Sequence, residues 1–211
     1  MAEALADVYV RLEGMKGECT DASHPGSKGW IQIKSFNFGF GMTEGSWESG
    51  SSTESSSGHA GSGNGAGSGG GGANALPLEF PEVTLTKSAD VATTALLKEK
   101  CHEGSPIAML ELIACRYGGN NPNKPKIPFL RIIFKDVYIC SVSLSLSQDE
   151  LPGETIKFTY DIVQMETIWT DNETGDRLTS EPNRCGWNKK HNVEHRQYVE
   201  SAEENIDSGQ S

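Results

Sequence analysis

Two histidines and a glutamate stand at His191-Asn192-Val193-Glu194-His195, an H-x-x-E-H spacing. On a helix this spacing puts two imidazoles on one face beside a carboxylate, which is the chemistry of a zinc hydrolase. It needs a helix packed into a wall and a third ligand. Here Lys189, Lys190 and Arg196 surround it in a segment with little apolar stripe, so two histidines on a solvated tail is the better reading. Gly65-Ala66-Gly67-Ser68-Gly69-Gly70 matches G-x-G-x-x-G. A phosphate-cradling glycine loop must follow a strand and open a helix. This copy lies inside a low-complexity run that precedes a strand, so it reflects composition. Cys101 and His102 are adjacent and point different ways on a helix, so they make no nucleophile pair. Asp149-Glu150 and Asp171 with Glu173 are turn residues, read as solvated loop. No catalytic residue, metal ligand or cofactor-binding residue is assigned.

Composition narrows the partners. The 211 residues carry a formal net charge of -11. A chain this acidic has no affinity for phosphate backbones or anionic lipid surfaces, so nucleic acid is not an expected partner. No run of about 18 apolar residues is present, so no membrane-inserting helix is expected. The first residues, Met-Ala-Glu-Ala-Leu-Ala-Asp, lack a basic region followed by an apolar one. The expectation is a protein that folds in the cytoplasm and is exported, if at all, without a cleaved signal. Five cysteines at wide spacing, Cys19, Cys101, Cys115, Cys140 and Cys185, point to reduced thiols. Cys115 and Cys140 lie in apolar strands and read as core filler; Cys19 and Cys185 lie in loops.

The elements follow from periodicity. Ala6 to Glu13 alternates, with Val8, Val10 and Leu12 on one face. Trp30 to Phe40 is a second strand, Phe36, Phe38 and Phe40 on one face and Ser35, Asn37 and Gly39 on the other. Between Ser49 and Ala75, 18 of 27 residues are Gly or Ser, a composition that favours a flexible coil. The fifty residues before it are too few to bury a core, so the block reads as a loop within one domain. Leu78 to Thr86 is a strand marked by Pro81. Lys87 to Glu103 is the one helix, capped by Ser88, with Ala89, Ala92, Leu96 and Leu97 as its apolar stripe. Strands follow at Ala108 to Tyr117, Phe129 to Cys140 and Val142 to Ser147, then a Pro-Gly turn in Asp149 to Glu154. Thr155 to Thr170 is the last long strand, with a shift of apolar phase near Ile162-Val163 that calls for a bulge or bend. The sum is a mainly β (α+β) chain, an antiparallel barrel of two packed sheets with one flanking helix. The domain spans 1–190 with a Gly/Ser-rich insertion at about 44–76, and 191–211 is a polar acidic tail.

Three segments together resemble one family. Val8 to His24 runs from a strand into Lys16-Gly17-Glu18-Cys19-Thr20-Asp21-Ala22-Ser23-His24. Trp30 to Gly41 is a strand that passes directly into a glycine-rich stretch. Gly186-Trp187-Asn188 lies near the C-terminus, and Phe80 to Gly104 supplies a strand, Thr86-Lys87 and the helix. In this order they resemble the Hcp (haemolysin-coregulated protein) family over roughly Ala6 to Lys190. The resemblance implies a barrel whose six copies close into a ring with a wide pore. Rings stack into the inner tube of the type VI secretion machine. A contracting sheath drives that tube, tipped by a spike protein, into a target cell, with small effectors in its lumen. If the polar face of Trp30 to Phe40 lines the lumen, Ser35 and Asn37 contact cargo. The long loop after that strand, with Trp47, Glu48, Glu54 and His59, is the candidate ring-to-ring contact. Cys19 stands where the family has Ser and Cys185 where it has Tyr. A phage-type tail tube subunit and a monomeric binding barrel are the rival readings.

Overall fold

The computed structural model describes residues 6–42, 78–102, 104–117, 126–148, 150–171, 178 and 183–198. The chain forms two compact units, Met1–Phe38 with Pro81–Ser211, and Gly39–Phe80. In the second unit the described residues form one short ladder, β4 (Gly41–Met42) with β5 (Leu78–Glu79), and the Phe40 and Phe80 rings lie 6.4 Å apart. The Gly/Ser block, with Trp47, Glu48, Glu54 and His59, lies outside the described residues.

The first unit holds two antiparallel sheets that share a strand. Its elements are β1 (Ala6–Leu12), a 3-10 turn (Gly26–Lys28), β2 (Trp30–Ile33), β3 (Ser35–Asn37), β6 (Val83–Ser88), α1 (Val91–His102), β7 (Ile107–Tyr117), β8 (Lys126–Ser147), β9 (Glu150–Thr159), β10 (Ile162–Thr167), β11 (Asn183–Asn188) and β12 (Val193–Glu194). One sheet runs β12-β11-β10-β8-β7-β1-β2, and β3, β6 and β9 continue onto the other half of β8. From Leu130 to Lys135, β8 pairs with β10; from Tyr138 on, it pairs with β9.

Changes of sheet coincide with changes of side-chain parity. A strand keeps one face buried only while its period of two is unbroken; one extra residue flips every later side chain. Ile31 and Ile33 are buried in β2, Lys34 and Ser35 are both exposed, and the inward series resumes on Phe36 and Phe38. In β8, Ile132 and Phe134 give way to Val137 and Ile139 across Asp136, whose φ is 52°. Along β9 and β10, Ile156, Phe158 and Tyr160 give way to Val163 across Asp161, whose amide bonds the Lys135 carbonyl at 3.2 Å. The phase shift expected near Ile162-Val163 is this break. The core lies between the inner faces, centred on Phe134, which stands 5.3 Å from Phe158 and 4.7 Å from Tyr160.

Several expectations change. Cys185 lies in β11 rather than in a loop, and Leu97 of the expected helix stripe is 64% exposed. The helix starts at Val91, and Asp90 caps it in place of Ser88: Asp90 Oδ1 accepts the Ala92 amide at 2.9 Å while Thr93 Oγ1 accepts the Asp90 amide at 3.1 Å. Ser88 is still in β6, opposite Gly153. Pro152-Gly153 is strand rather than turn, because β9 runs from Glu150 and closes its hairpin with β8 through Ser147 opposite Glu150. Cys140 is exposed, because it is the extra residue of a bulge between Ile139 and Ser141; Cys115 is buried as expected.

Candidate functional site

The second sheet carries an outer face built almost wholly of hydroxyls. The registers put Ser35 opposite Thr86, Asn37 opposite Thr84, Thr84 opposite Lys157 and Thr86 opposite Thr155. On β8, Ser141 faces Lys157, Ser143 faces Thr155 and Ser145 faces Gly153. Alternation turns the chain neighbours of these residues inward: Leu85, Ile156 and Phe158 are buried. Ser35 and Asn37 are exposed, and the Ser35 and Thr86 hydroxyls pair at 2.6 Å. Of the cross-strand pairs just named, Lys157 is the one charged member, in a chain of net charge -11. Such a face offers many weak neutral hydrogen bonds and little fixed charge.

Buried ion pairs brace the sheets around it. Lys87 and Glu154 face each other across β6 and β9; Lys87 Nζ lies 2.5 Å from Glu154 Oε2 and 2.6 Å from Asp90 Oδ1. Thr93 Oγ1 donates to Glu154 Oε2 at 2.8 Å, so the helix start is bound to both strands. On the outer face of the first sheet, charges alternate from strand to strand. Arg11 Nη2 meets Glu111 Oε2 at 2.6 Å, and Arg131 Nε meets Glu111 Oε1 at 2.7 Å. Farther along, Arg131 Nη1 lies 3.8 Å from Glu166 Oε2, and Arg184 Nε 3.2 Å from it.

Two segments cover that outer face. Between β1 and β2 the chain lies along the edge of β2, Cys19 donating its amide to Trp30 O at 3.2 Å. A Cβ at Gly17 would stand 2.0 Å from that same oxygen, which explains the glycine of Lys16-Gly17-Glu18. His24 stacks on Tyr9 at 4.3 Å and meets Trp30 edge-on at 4.9 Å. The turn is locked by Lys126, whose ammonium pairs with Asp21 and, at 2.7 Å, with Asp7. Burial alone would push the Asp21 carboxyl up. Lys126, the Ser23 amide and the Tyr9 hydroxyl outweigh it and hold the carboxyl down to about 2. The second cover is the chain after β11, which returns over β10 and β11 through His195 and Gln197.

The H-x-x-E-H residues do not lie on a helix. His191 is in a turn, Glu194 is in β12 and pairs with Arg196 at 2.7 Å, and the His195 amide bonds Gly186 O at 2.9 Å. No group of three or more His, Cys, Asp or Glu side chains converges among the described residues. Also among them, no helix is long and apolar enough to cross a membrane. Periodicity alone did not reveal the Lys87, Lys126 and arginine networks, because each joins residues far apart in the chain.

The family model described as "Type VI secretion system effector, Hcp" matches residues 9–167. Comparison with curated proteins gives no match. A solved type six secretion system protein shares 25% identity at a TM-score of 0.67, covering 90% of this chain and 100% of that one. An Hcp protein of Salmonella typhimurium superposes at 0.61 with 20% identity, covering 91% and 99%. A type VI secretion system effector of Yersinia pestis superposes at 0.55 with 18% identity, covering 86% and 98%. With a family match across most of the fold just described, this chain belongs to the Hcp family, the structural, non-enzymatic tube proteins of type VI secretion.

Proposed function

We propose that this protein is the ring-forming subunit of a type VI inner tube. In this reading residues 1–190 are one domain, its two sheets close into a barrel, and 44–76 is an insertion. Six copies close head to side into a ring, rings stack, and the tube leaves the cytoplasm without a cleaved signal, carrying small effectors in its lumen. The sheath surrounds it and the spike protein sits at its tip. Family membership is the observation that carries the reading. The hydroxyl face supports it: a lumen wall must hold cargo weakly enough to release it, and neutral Ser, Thr and Asn side chains suit that better than fixed charge. Ser35 and Asn37 are then cargo-contacting residues. Trp47, Glu48, Glu54 and His59 remain the proposed ring-to-ring contact.

Exposed leucines supply the surface that self-association needs. Leu144, Leu146 and Leu151, near the tip of the β8–β9 hairpin, are 54%, 76% and 77% exposed. Native mass spectrometry of the purified protein tests the reading. Hexamers, visible as rings by negative-stain microscopy, are the expected result; a monomer at tens of micromolar overturns it.

A further inference from the structure

The two covers of the first sheet's outer face are sealed by opposite physics. The cover between β1 and β2 sits on apolar side chains: Tyr9, Trp30, Ile113 and Cys115 form one buried cluster, with Cys19 against it. Lifting it would expose aromatic surface to water, which opposes opening. The C-terminal cover sits largely on charged and polar groups. Beneath it a small cavity is lined by Arg131, Glu166, Arg184 and Gln164, with the apolar Ile133 and Met165 beside them and Tyr198 of the cover above. Water solvates those charged groups well, so uncovering them costs little. The segment itself buries little: Val193 is 51% exposed, and Glu194, Arg196 and Gln197 are exposed.

Among the described residues its attachments are few. β12 pairs only Val193 with Asn188 and Glu194 with Trp187. His195 N donates to Gly186 O at 2.9 Å, and Gln164 Nε2 donates to Gln197 O. A Cβ at Gly186 would stand 2.6 Å from His195 O, so glycine there admits the passing chain. The turn that leads into the segment contains Asn192 at φ 53°, a conformation that asparagine tolerates and that can serve as a hinge.

We propose that Val193–Tyr198 is a strap that opens as a unit, unpairing β12 from β11 while the rest of both sheets stays folded. Opening bares the Arg131–Glu166–Arg184 end of the charge ladder to solvent. The hinge is the turn at residues 189–192, and the strap's position sets whether those guanidinium groups are accessible.

Hydrogen exchange on the full chain tests this. The His195 amide should exchange at least about 100-fold faster than the paired amides of β10, because local opening needs far less free energy than global unfolding. Rates within about threefold of each other overturn the proposal. A full-length His195→Pro variant removes the bond to Gly186 O. Its Arg184 should react with phenylglyoxal about tenfold faster than in the parent, with Tm moved by less than about 3 °C. Unchanged labelling, or a collapse of Tm, means that the segment is part of the cooperative fold and the strap does not exist.

Discussion

Lys87 and Glu154 stand directly opposite each other on β6 and β9 with side chains 1% and 0% exposed, their charges 2.5 Å apart. Removing one partner leaves the other charged and buried, whereas replacing both by apolar groups removes the desolvation cost as well. Lys87→Met should therefore destabilise by about 3–5 kcal/mol, and Lys87→Met with Glu154→Leu by clearly less. Urea denaturation of the two variants and the parent measures both. A double variant no more stable than Lys87→Met alone would mean that the buried charge left behind is not the source of the loss.

A crowded glycine and an open one make a second pair of variants. Gly17 is held against Trp30 O and Gly186 against His195 O. An added methyl at Gly17 meets main chain of β2 that cannot yield, and overpacking of this kind costs about 1–3 kcal/mol. Gly17→Ala should lower Tm, while Gly153→Ala, with nothing within 4 Å of the added atom, should leave it nearly unchanged. Equal Tm for the two variants would show that the segment before β2 moves aside freely.

Periodicity made most strands legible, since Val8, Val10 and Leu12, or Phe36 and Phe38, announce a buried face by alternation alone. It also located the β9–β10 break, because a parity flip is written in the order of apolar residues. What it missed has a common cause. Asp90 caps the helix because β6 needs Ser88 in its ladder, a demand made by β9 some sixty residues away. Cys140 looked apolar in context, but the bulge that turns it outward depends on pairing with β9. The Arg11 to Arg184 ladder joins five strands, and nothing local to any one of them signals it. Ser35 and Asn37 were found by alternation, yet the hydroxyl face they belong to emerged only when four strands were in register.

Strong acid should release the Lys126 lock. Asp21 titrates near 2 in the folded protein against 3.8 for an ordinary aspartate, so its contribution is complete above about pH 4 and lost as pH falls toward 2. Asp7 is shifted in the same direction: burial raises it, and Lys126 and the Tyr117 and Tyr9 hydroxyls more than offset that. Asp21→Asn should lower Tm at pH 7, and the gap to the parent should close between pH 4 and pH 2. A gap that stays constant over that range would remove Asp21 from the acid response. Melting followed by circular dichroism at each pH decides it.

The exposed leucines allow assembly to be separated from folding. Leu146 is 76% exposed near the hairpin tip, so an acid there meets water in the lone protomer and costs the fold little. In a ring that buries the hairpin, the same carboxylate would be desolvated without a partner, at a cost of several kcal/mol per contact. Repeated around a closed ring, that cost falls on every interface. Leu146→Asp should therefore leave Tm of the protomer and its circular dichroism unchanged while shifting native mass spectra from hexamer to monomer. Leu146→Met, which keeps the apolar contact, should retain hexamers. Hexamers that persist in Leu146→Asp would place the interface elsewhere on the protomer and leave the hairpin leucines to another partner.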